Sequence, residues 1–319
     1  MLGHYALLPA VLLFPGGLFA LAFGLALKGA DRRMVARLQR RVGPPLLQPY
    51  FDLVKLAQKR TLVPDIASRP VFLGAPLIGA ISMLLAAALV PIGGVYQPDP
   101  MLGDLLVLLY LLTVPAVVLM VAGSASGSPF GAIGFSREMM LMLAYEGPLL
   151  VVVAAVAVKT GFAEGKMVSF SLSEIVAYQR QHGAFLFDPV MWPALLAFIA
   201  FFPANVGIVP FDIPEAEVEV LEGPLLEYSG PVLGLFKIMS AAKCVVVLSL
   251  GIALFFPNGP DGVLGLVVYA LKMLVLTLLG VSLVRTSVAR MRIDQAFVFF
   301  LKWPLLLAVI SLVVVIIFA

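Results

Sequence analysis

Eight apolar runs, each about as long as a bilayer is thick, constrain the fold of this chain more than any other feature. They lie at residues 6–27, 71–93, 101–122, 139–160, 190–209, 232–256, 262–284 and 303–318. A run of about 20 apolar residues crosses the hydrocarbon core when it is helical. Because 62% of the 319 residues are hydrophobic and 12% are charged, a water-soluble core could not hide them. The sequence predicts an all-α integral membrane protein, a single polytopic domain over 1–319 with amphipathic helices in its loops.

Several kinds of chemistry are not expected from this chain alone. It has one cysteine, Cys244, and two histidines, His4 and His182, so it cannot ligate an iron–sulfur cluster or supply a mid-membrane histidine pair for haem. The sequence contains no P-loop pattern, which argues against ATP hydrolysis. No Lys or Arg precedes the first apolar run, so we expect a retained span, not a cleaved signal. Any redox or nucleotide chemistry therefore belongs to partners.

The charge distribution predicts an orientation. Residues 28–70 carry ten basic residues against three acids, and such an excess of Lys and Arg marks a cytoplasmic loop. Counting spans from there puts the long loops 210–231 and 285–302 on the same side. Both termini are then predicted on the non-cytoplasmic side of the cell membrane.

Two loops contain patterns typical of surface helices. Leu47, Phe51, Val54 and Leu56 recur at roughly helical spacing, which predicts an interfacial amphipathic helix after Pro49. The alternative for the basic residues of this loop is a collar held by anionic lipid headgroups. A second short surface helix is predicted within 161–189, with no function attached.

Glu146 is an acid inside the fourth apolar run. An ionisable residue at that depth is costly and by default indicates function. Gly147 and Pro148 follow it, and Pro148 cannot donate a hydrogen bond to the helical carbonyl one turn earlier. The alternative is a protonated glutamic acid that is hydrogen-bonded to a neighbouring helix.

Two lysines, Lys243 and Lys272, lie near the middles of the sixth and seventh runs. Snorkelling to an interface is difficult from there, so each is predicted to face the bundle interior and to meet a carboxylate or water. A polar axis across the bundle follows as a hypothesis. Lys237 lies nearer a helix end, where snorkelling is the simpler interpretation.

The segment 210–230 is the densest acidic feature and contains no basic residue. Its six acids are Asp212, Glu215, Glu217, Glu219, Glu222 and Glu227. If the segment is helical, Asp212, Glu215, Glu219 and Glu222 form one stripe. Clustered carboxylates repel one another, so some are expected to hold protons near neutral pH. A solvated acidic loop is the alternative, but apolar residues between the acids favour packing against protein.

Four blocks of sequence resemble one family over almost the entire chain. They are residues 41–55 (RVGPPLLQPYFDLVK), the pair Tyr145-Glu146, residues 210–217 (PFDIPEAE) with 227–230 (EYSG), and residues 290–295 (RMRIDQ) with Lys302-Trp303. The family is the membrane subunit that joins the peripheral redox arm to the ion-pumping arm in respiratory complex I and in energy-converting [NiFe] hydrogenases.

The resemblance implies roles for residues that the chain itself had marked. Glu146 and the acids of 210–230 would form the ion-conducting link beneath the redox site. The side chains facing the peripheral subunits would be Arg41, Gln48, Asp52, Lys55, Arg290, Arg292 and Asp294. Expected partners are a hydrogenase-like large subunit and Fe–S subunits, which would carry the Fe–S clusters and a [NiFe] centre, antiporter-like membrane subunits and the lipid bilayer, with no nucleic acid. This chain would hold no cofactor or metal and would not be catalytic alone.

One further block favours the hydrogenase branch. Residues 123–138 (GSASGSPFGAIGFSRE) are similar to the hydrogenase-type version, whereas quinone-reducing members carry a more polar stretch there. Residues 222–230 also resemble the hydrogenase branch. The hypothesis is that the acidic segment senses the redox site, that Glu146 passes the disturbance on, that Lys243 and Lys272 tune it, and that Arg137 and Glu138 gate its cytoplasmic end.

Three alternatives stay open at this point. The first is a quinone-site subunit of an NADH or ferredoxin:quinone oxidoreductase, with quinone entering under the first loop. The second is a stand-alone cation-coupled secondary transporter, although we find no paired broken helices of the kind such proteins show. The third is a passive scaffold. The translocated ion is H⁺ or Na⁺ in all of the coupled alternatives.

Overall fold

A computed structural model describes residues 9–98, 104–163 and 165–318 of the chain, except for the side chains of 163, 217 and 218. His4 lies outside the described residues. The described residues are nearly all helical and contain no β-strand. The α-helices are Gly17–Leu38, Gln48–Gln58, Arg69–Leu89, Leu105–Ala125, Pro129–Ala163, Leu172–His182, Trp192–Val206, Glu217–Val220, Gly230–Phe255, Val263–Leu276, Val284–Ser287, Ile293–Lys302 and Pro304–Phe318.

Eight helical segments within the described residues are long and apolar enough to cross a membrane, as predicted. The first to eighth spans are Pro9–Leu38, Arg69–Leu89, Leu105–Ala125, Pro129–Phe162, Pro189–Val206, Gly230–Phe255, Val263–Ser287 and Ile293–Phe318. Each contains one of the predicted apolar runs or overlaps most of it. The all-α membrane fold is therefore confirmed.

Some helices continue beyond their apolar runs. The first span extends through the basic stretch to Leu38, and the eighth begins at Ile293, inside the segment predicted as the loop 285–302. Long basic side chains allow this because their heads reach the interface while their stems cover apolar surface. Both Lys28 and Asp31, counted above as loop charges, are consequently residues of the first span.

The sixth span forms the centre of the bundle. Within its most apolar window 89% of the residues are buried, against 22% in the seventh span and 28% in the eighth. It contacts the first, second and fifth spans and the helix Gln48–Gln58. At Gly24 the first span comes so close that an added Cβ would lie 2.5 Å from the Ala241 carbonyl oxygen. A glycine at this position permits that approach.

Both predicted surface helices are present. Gln48–Gln58 packs on the first and sixth spans, and Leu172–His182 begins at an N-cap serine, Ser171, whose hydroxyl accepts from the Glu174 amide. The second helix contacts the fourth and sixth spans. It lies at the opposite end of the sixth span from Gln48–Gln58, because its Gln179 side chain donates to the Ala253 and Leu254 carbonyls at 3.0 and 3.1 Å.

The segment 210–230 is not one helix, so the predicted stripe of four acids is wrong. A short helix, Glu217–Val220, is followed by Leu221 and Glu222 with φ of 50° and 68°. Prolines at 210, 214 and 224 prevent a continuous helix because each lacks an amide donor and restricts the residue before it. Four apolar residues of the segment are buried, as predicted: Phe211, Ile213, Ala216 and Val220 are each at most 3% exposed. Leu221 departs from the prediction because it is 54% exposed, and the side chain of Val218 lies outside the described residues.

Candidate functional site

A cavity of about 480 Å³ lies where this acidic segment meets the bundle. The first, fourth, fifth and sixth spans, the helix Gln48–Gln58 and the segment itself all contribute to its wall. Six basic and four acidic side chains line it: Lys28, Arg32, Lys55, Lys59, Lys237, Lys243, Asp52, Glu138, Asp212 and Glu215. The site predicted as a cluster of acids is therefore a mixed-charge cavity with an excess of cations.

Glu138 and Lys243 line the cavity from within the membrane spans. They are 7% and 6% exposed and come from the fourth and sixth spans respectively. Lys243 interacts electrostatically with three carboxylates, those of Glu138, Glu215 and Glu146. As predicted, this lysine faces the interior of the bundle. Burying charged groups is tolerated where opposite charges are close and a cavity admits water.

Glu146 lies eight residues beyond Glu138 on the same helix, about 12 Å along its axis at helical rise. It does not line the cavity. Its Oε1 atom is buried and has no hydrogen-bond partner in the described part of the chain. Leu143 and Leu150, one turn to either side, are 58% and 54% exposed. Glu146 therefore lies between Lys243 and an outward-facing apolar surface of the fourth span.

Two buried polar residues near this path were given no role of their own from the sequence. Tyr145 and Asn205 are 1% and 2% exposed, and neither the tyrosine hydroxyl nor the asparagine Oδ1 has a hydrogen-bond partner within the described residues. Asn205 lines the cavity at the end of the fifth span. The only sequence signal was the position of Tyr145 beside Glu146.

Glu215 brings the acidic segment into the cavity. Its carboxyl is half-buried and experiences three lysines, Lys237, Lys28 and Lys243. Burial raises the pKa of Glu215 above its ordinary value, and the lysines only partly oppose this. Lys28 is held in place by a hydrogen bond to the Ser240 hydroxyl of the sixth span. Sequence reasoning missed Lys28, because it lies beyond the apolar run.

Two other acids of the segment pair with arginines from elsewhere. Arg290 donates from Nε and Nη2 to the two carboxylate oxygens of Asp212 at 2.7 and 2.6 Å. Arg137 donates to Glu219 at 2.5 Å. Glu222 is exposed and Glu227 is half-buried, while the side chain of Glu217 lies outside the described residues.

The residues predicted to face peripheral subunits fall into separate places. Asp52 accepts hydrogen bonds from Gln48 at 2.8 Å and from Arg32 at 3.0 Å. Burial opposes ionisation of Asp52, but these hydrogen bonds outweigh it and lower the pKa of the carboxyl. Asp52 and Lys55 line the cavity, and Arg290 holds Asp212. The remaining predicted residues, Arg41, Arg292 and Asp294, are exposed.

Lys272 does not line this cavity, and its partners in the described residues are backbone carbonyls, not a carboxylate. Its Nζ donates to the carbonyls of Phe256 and Asn258 at 2.7 and 2.5 Å, beyond the end of the sixth span. A cation there satisfies carbonyls that have no helical donor. The hypothetical polar axis consequently contains Lys243 but not Lys272.

A smaller cavity of about 190 Å³ adjoins the first and shares Lys28, Arg32 and Asp212 with it. Asp31, 8% exposed, lies in its wall. This carboxylate accepts from the Ser282 hydroxyl at 2.8 Å and pairs with Arg285 at 3.3 Å. Ser282 belongs to a π-helical segment of the seventh span, Thr277–Leu283.

Among the described residues, no group of three or more His, Cys, Asp or Glu side chains has a geometry that could hold a metal ion.

Comparison with known proteins supplies the family. Residues 11–316 match the family model described as NADH dehydrogenase. This chain belongs to that family.

Individual relatives agree with the assignment. The chain is 36% identical over 301 residues to formate hydrogenlyase subunit 4 of Escherichia coli strain K12, covering 91% of each. It is 36% identical over 258 residues to hydrogenase-4 component C of the same organism, covering 80% of this chain and 78% of that one. It is also 31% identical over 294 residues to the H subunit of the NADH-quinone oxidoreductase of Dehalococcoides mccartyi strain CBDB1, covering 89% and 79%.

A solved structure has the same fold. It is a chain of the membrane-bound sulfane sulfur reductase, an archaeal respiratory membrane complex, with a TM-score of 0.87 and 28% identity. The alignment covers 97% of this chain and 99% of the other. Together these findings identify the chain as a multi-pass membrane subunit of an energy-converting oxidoreductase complex, and the resemblance inferred from the sequence is confirmed.

Proposed function

We propose that this subunit couples electron transfer in a peripheral redox arm to ion translocation in the membrane. The observation that carries the proposal is the position of Lys243, which interacts with Glu215 of the acidic segment and with Glu138 and Glu146 of the fourth span. These groups form a series from the mixed-charge cavity into the membrane.

The mechanism is electrostatic. A change of charge at a redox site above the cavity would alter the proton affinity of Glu215, because a half-buried carboxyl responds strongly to nearby charge. Lys243 can favour an ionised carboxylate at only some of its three neighbours at a time. Protonation of one acid therefore biases the next, and Glu146 delivers the disturbance to the outward-facing surface of the fourth span.

The proposed complex is of the hydrogenase type, in which partners reduce protons to hydrogen. Identity of 36% over 91% of formate hydrogenlyase subunit 4 supports this, as does the segment 123–138. In this proposal the hydrogenase-like large subunit and the Fe–S subunits carry the [NiFe] centre and the clusters. The antiporter-like subunits complete the ion path, and this chain holds no cofactor.

Reduction of a quinone is the second candidate, and the position of the cavity favours it. The cavity opens beneath Gln48–Gln58, and apolar side chains such as Leu53, Leu56 and Phe236 share its wall with the charges. Hydrogen evolution by the purified complex with a low-potential electron donor would support the hydrogenase type. A quinone that co-purifies with the complex and is reduced by it would support the alternative.

The coupling role is tested at Glu146. The purified complex is reconstituted into liposomes, and redox turnover and the ion gradient are measured together for wild type and Glu146→Gln. We expect turnover to continue while the ion gradient is lost. The matched control is Glu174→Gln, an acid on the helix Leu172–His182, which is expected to leave both unchanged.

The same preparation separates the remaining alternatives. A normal gradient in Glu146→Gln would contradict the coupling role and leave a scaffold. Ion flux catalysed by the isolated subunit in liposomes would indicate a stand-alone transporter. Replacing Na⁺ in the buffer by K⁺ abolishes the gradient if sodium is the ion, and a protonophore abolishes it if the ion is H⁺.

The proposed orientation has the mixed-charge cavity on the cytoplasmic side and both termini outside. The basic residues of 28–70 support it by the positive-inside rule. A cysteine introduced at Ile66, which is 85% exposed, is expected to react with a membrane-impermeant maleimide only after the cells are opened. Labelling in intact cells would reverse the orientation.

A further inference from the structure

An open groove of about 370 Å³ lies on the outside of the bundle, apart from both cavities. The first span, the loop after it and the seventh span form its walls. Ala30, Met34, Leu46 and Leu278 line its apolar part, and Arg33 and Arg37 are the charged residues of its lining. We propose that this groove binds an anionic diacyl phospholipid, with the lipid phosphate on the two arginines and an acyl chain along the apolar wall.

The two arginines are arranged to share one anion. They are four residues apart near the end of the first span, so they lie on the same face of the helix about 6 Å apart along its axis. Both arginines are exposed at the end of that helix. Guanidinium groups bind phosphate oxygens through paired N–H donors and suit a lipid headgroup better than a point charge does.

Neither arginine has an acidic partner within the described part of the chain. Other arginines around the candidate functional site do, because Arg32 pairs with Asp52, Arg285 with Asp31, and Arg137 with Glu219. Arg33 and Arg37 are therefore a local excess of positive charge at the end of a membrane span. Anionic headgroups are the complementary charge at that depth.

The apolar wall is continuous with a surface that faces outward. Next to Leu278, the seventh span exposes Leu274, Val275 and Leu279 at 39%, 45% and 54%. An acyl chain in the groove would pass directly onto this flank, whereas a free phosphate would leave the apolar wall uncovered. The combination of two adjacent arginines at one end and apolar surface at the other favours a lipid over a soluble anion.

The groove depends on the close approach of the loop to the first span. At Gly29 an added Cβ would collide with the Leu46 carbonyl oxygen, so the backbone around Leu46 lies directly against the helix. This contact places the Leu46 side chain, 45% exposed, over the groove. Its position makes Leu46 suitable for filling the groove without disturbing the core.

The test uses native mass spectrometry of the complete complex after delipidation and titration with phosphatidylglycerol or phosphatidylcholine. We expect wild type to retain one phosphatidylglycerol per complex in preference to phosphatidylcholine. The double variant Arg33→Gln/Arg37→Gln is expected to bind phosphatidylglycerol about 30-fold more weakly, at the usual contribution of a basic residue to anionic-lipid binding.

Two further variants make the result specific. Arg40→Gln/Arg60→Gln removes the same charge from exposed residues outside the groove and is expected to retain the lipid. Leu46→Trp fills the groove without changing charge and is expected to lose it. Equal retention in the Arg33/Arg37 variant, or equal binding of both lipids by wild type, would overturn the proposal. A photo-cross-linker at Leu46 that captures a neighbouring polypeptide and no phosphatidylglycerol would also overturn it.

Discussion

Arg290 holds Asp212 through two parallel hydrogen bonds, from Nε to Oδ1 at 2.7 Å and from Nη2 to Oδ2 at 2.6 Å. The same two segments are joined again by the Met291 amide, which donates to the Pro210 carbonyl at 3.1 Å. The connection between the last two spans is therefore attached directly to the acidic segment that lines the mixed-charge cavity. A displacement of one of these segments will therefore move the other.

Replacing Arg290 by lysine is expected to loosen the acidic segment, because lysine cannot donate two parallel hydrogen bonds to one carboxylate. Loss of one charge-assisted hydrogen bond, about 1.5 kcal/mol, corresponds to roughly tenfold faster amide exchange over residues 211–216. Hydrogen–deuterium exchange of the complex measures this. Arg292→Lys is the control, since this exposed arginine forms no ion pair among the described residues. Unchanged amide exchange in Arg290→Lys would mean that the paired hydrogen bonds from Arg290 to Asp212 do not hold the segment.

The lysines of the sixth and seventh spans are expected to behave differently. Lys243→Met removes the cation shared by Glu138, Glu215 and Glu146, so the ion gradient should fall while the complex still assembles. Lys272→Met removes a contact to two carbonyls, so it should lower thermal stability and leave coupling intact. Gradient formation and the thermal midpoint, measured on both variants, separate the roles. If the ion gradient were lost equally in Lys243→Met and Lys272→Met, Lys272 would also have a role in ion translocation.

An ordinary glutamic acid has a pKa of about 4.3. Glu215 should titrate at higher pH than this, because burial raises its pKa. The folded protein then binds this proton more tightly than the unfolded chain does. Stability from this group is present at low pH and is lost as the pH rises from the unfolded pKa through the raised folded pKa. Glu215→Gln should remove that part of the pH dependence. Infrared spectroscopy should show a protonated carboxyl band that persists in wild type to higher pH than that of an ordinary glutamic acid and is absent from the variant.

A second infrared measurement tests the cause of the shift. Lys237→Gln is expected to raise the pKa of Glu215 further, because Lys237 is the strongest of the three opposing cations. The carboxyl band should then persist to higher pH than in wild type. A band that moved to lower pH would show that Lys237 does not act on Glu215 through its charge.

Gln179 should matter for stability and not for coupling. Its side chain is fully buried, donates to two carbonyls at the end of the sixth span, and accepts from the Phe185 amide at 3.2 Å. Gln179→Leu leaves these groups without partners and should cost about 3 kcal/mol, seen as a lower thermal midpoint. Gln181→Leu on the exposed side of the same helix is the matched control. Equal midpoints for the two variants would contradict this role.

The sequence was most informative where a local pattern decides the structure. The length of the apolar runs predicted the eight spans, and periodic apolar residues predicted both surface helices. Isolation of Glu146 and Lys243 in apolar surroundings was enough to mark them, because ionisable residues in lipid are rarely incidental. Their mutual interaction follows from the packing of the fourth and sixth spans.

The rest depends on pairs that are far apart in the chain. Arg137 and Arg290 approach the acidic segment from residues more than 70 positions away, and nothing in the segment itself indicates which cations will meet it. Lys272 was predicted to be an interior charge because its depth was inferred from the seventh span alone. Its partners are backbone carbonyls that follow the end of the sixth span. Asp31 was hidden among loop charges because the helix continues past its apolar run.

The sixth span has consequences for the kind of motion that this protein can make. Its Gly230 end lies against the Arg60 carbonyl, and Ser229, just before it, accepts a hydrogen bond from the Leu62 amide at 3.0 Å. Its other end is tied down by Gln179. Because the sixth span is attached at both ends and buried along its length, we do not expect it to slide along its own axis. The proposed coupling would then act through shifts of charge along the side of this span, not through its displacement.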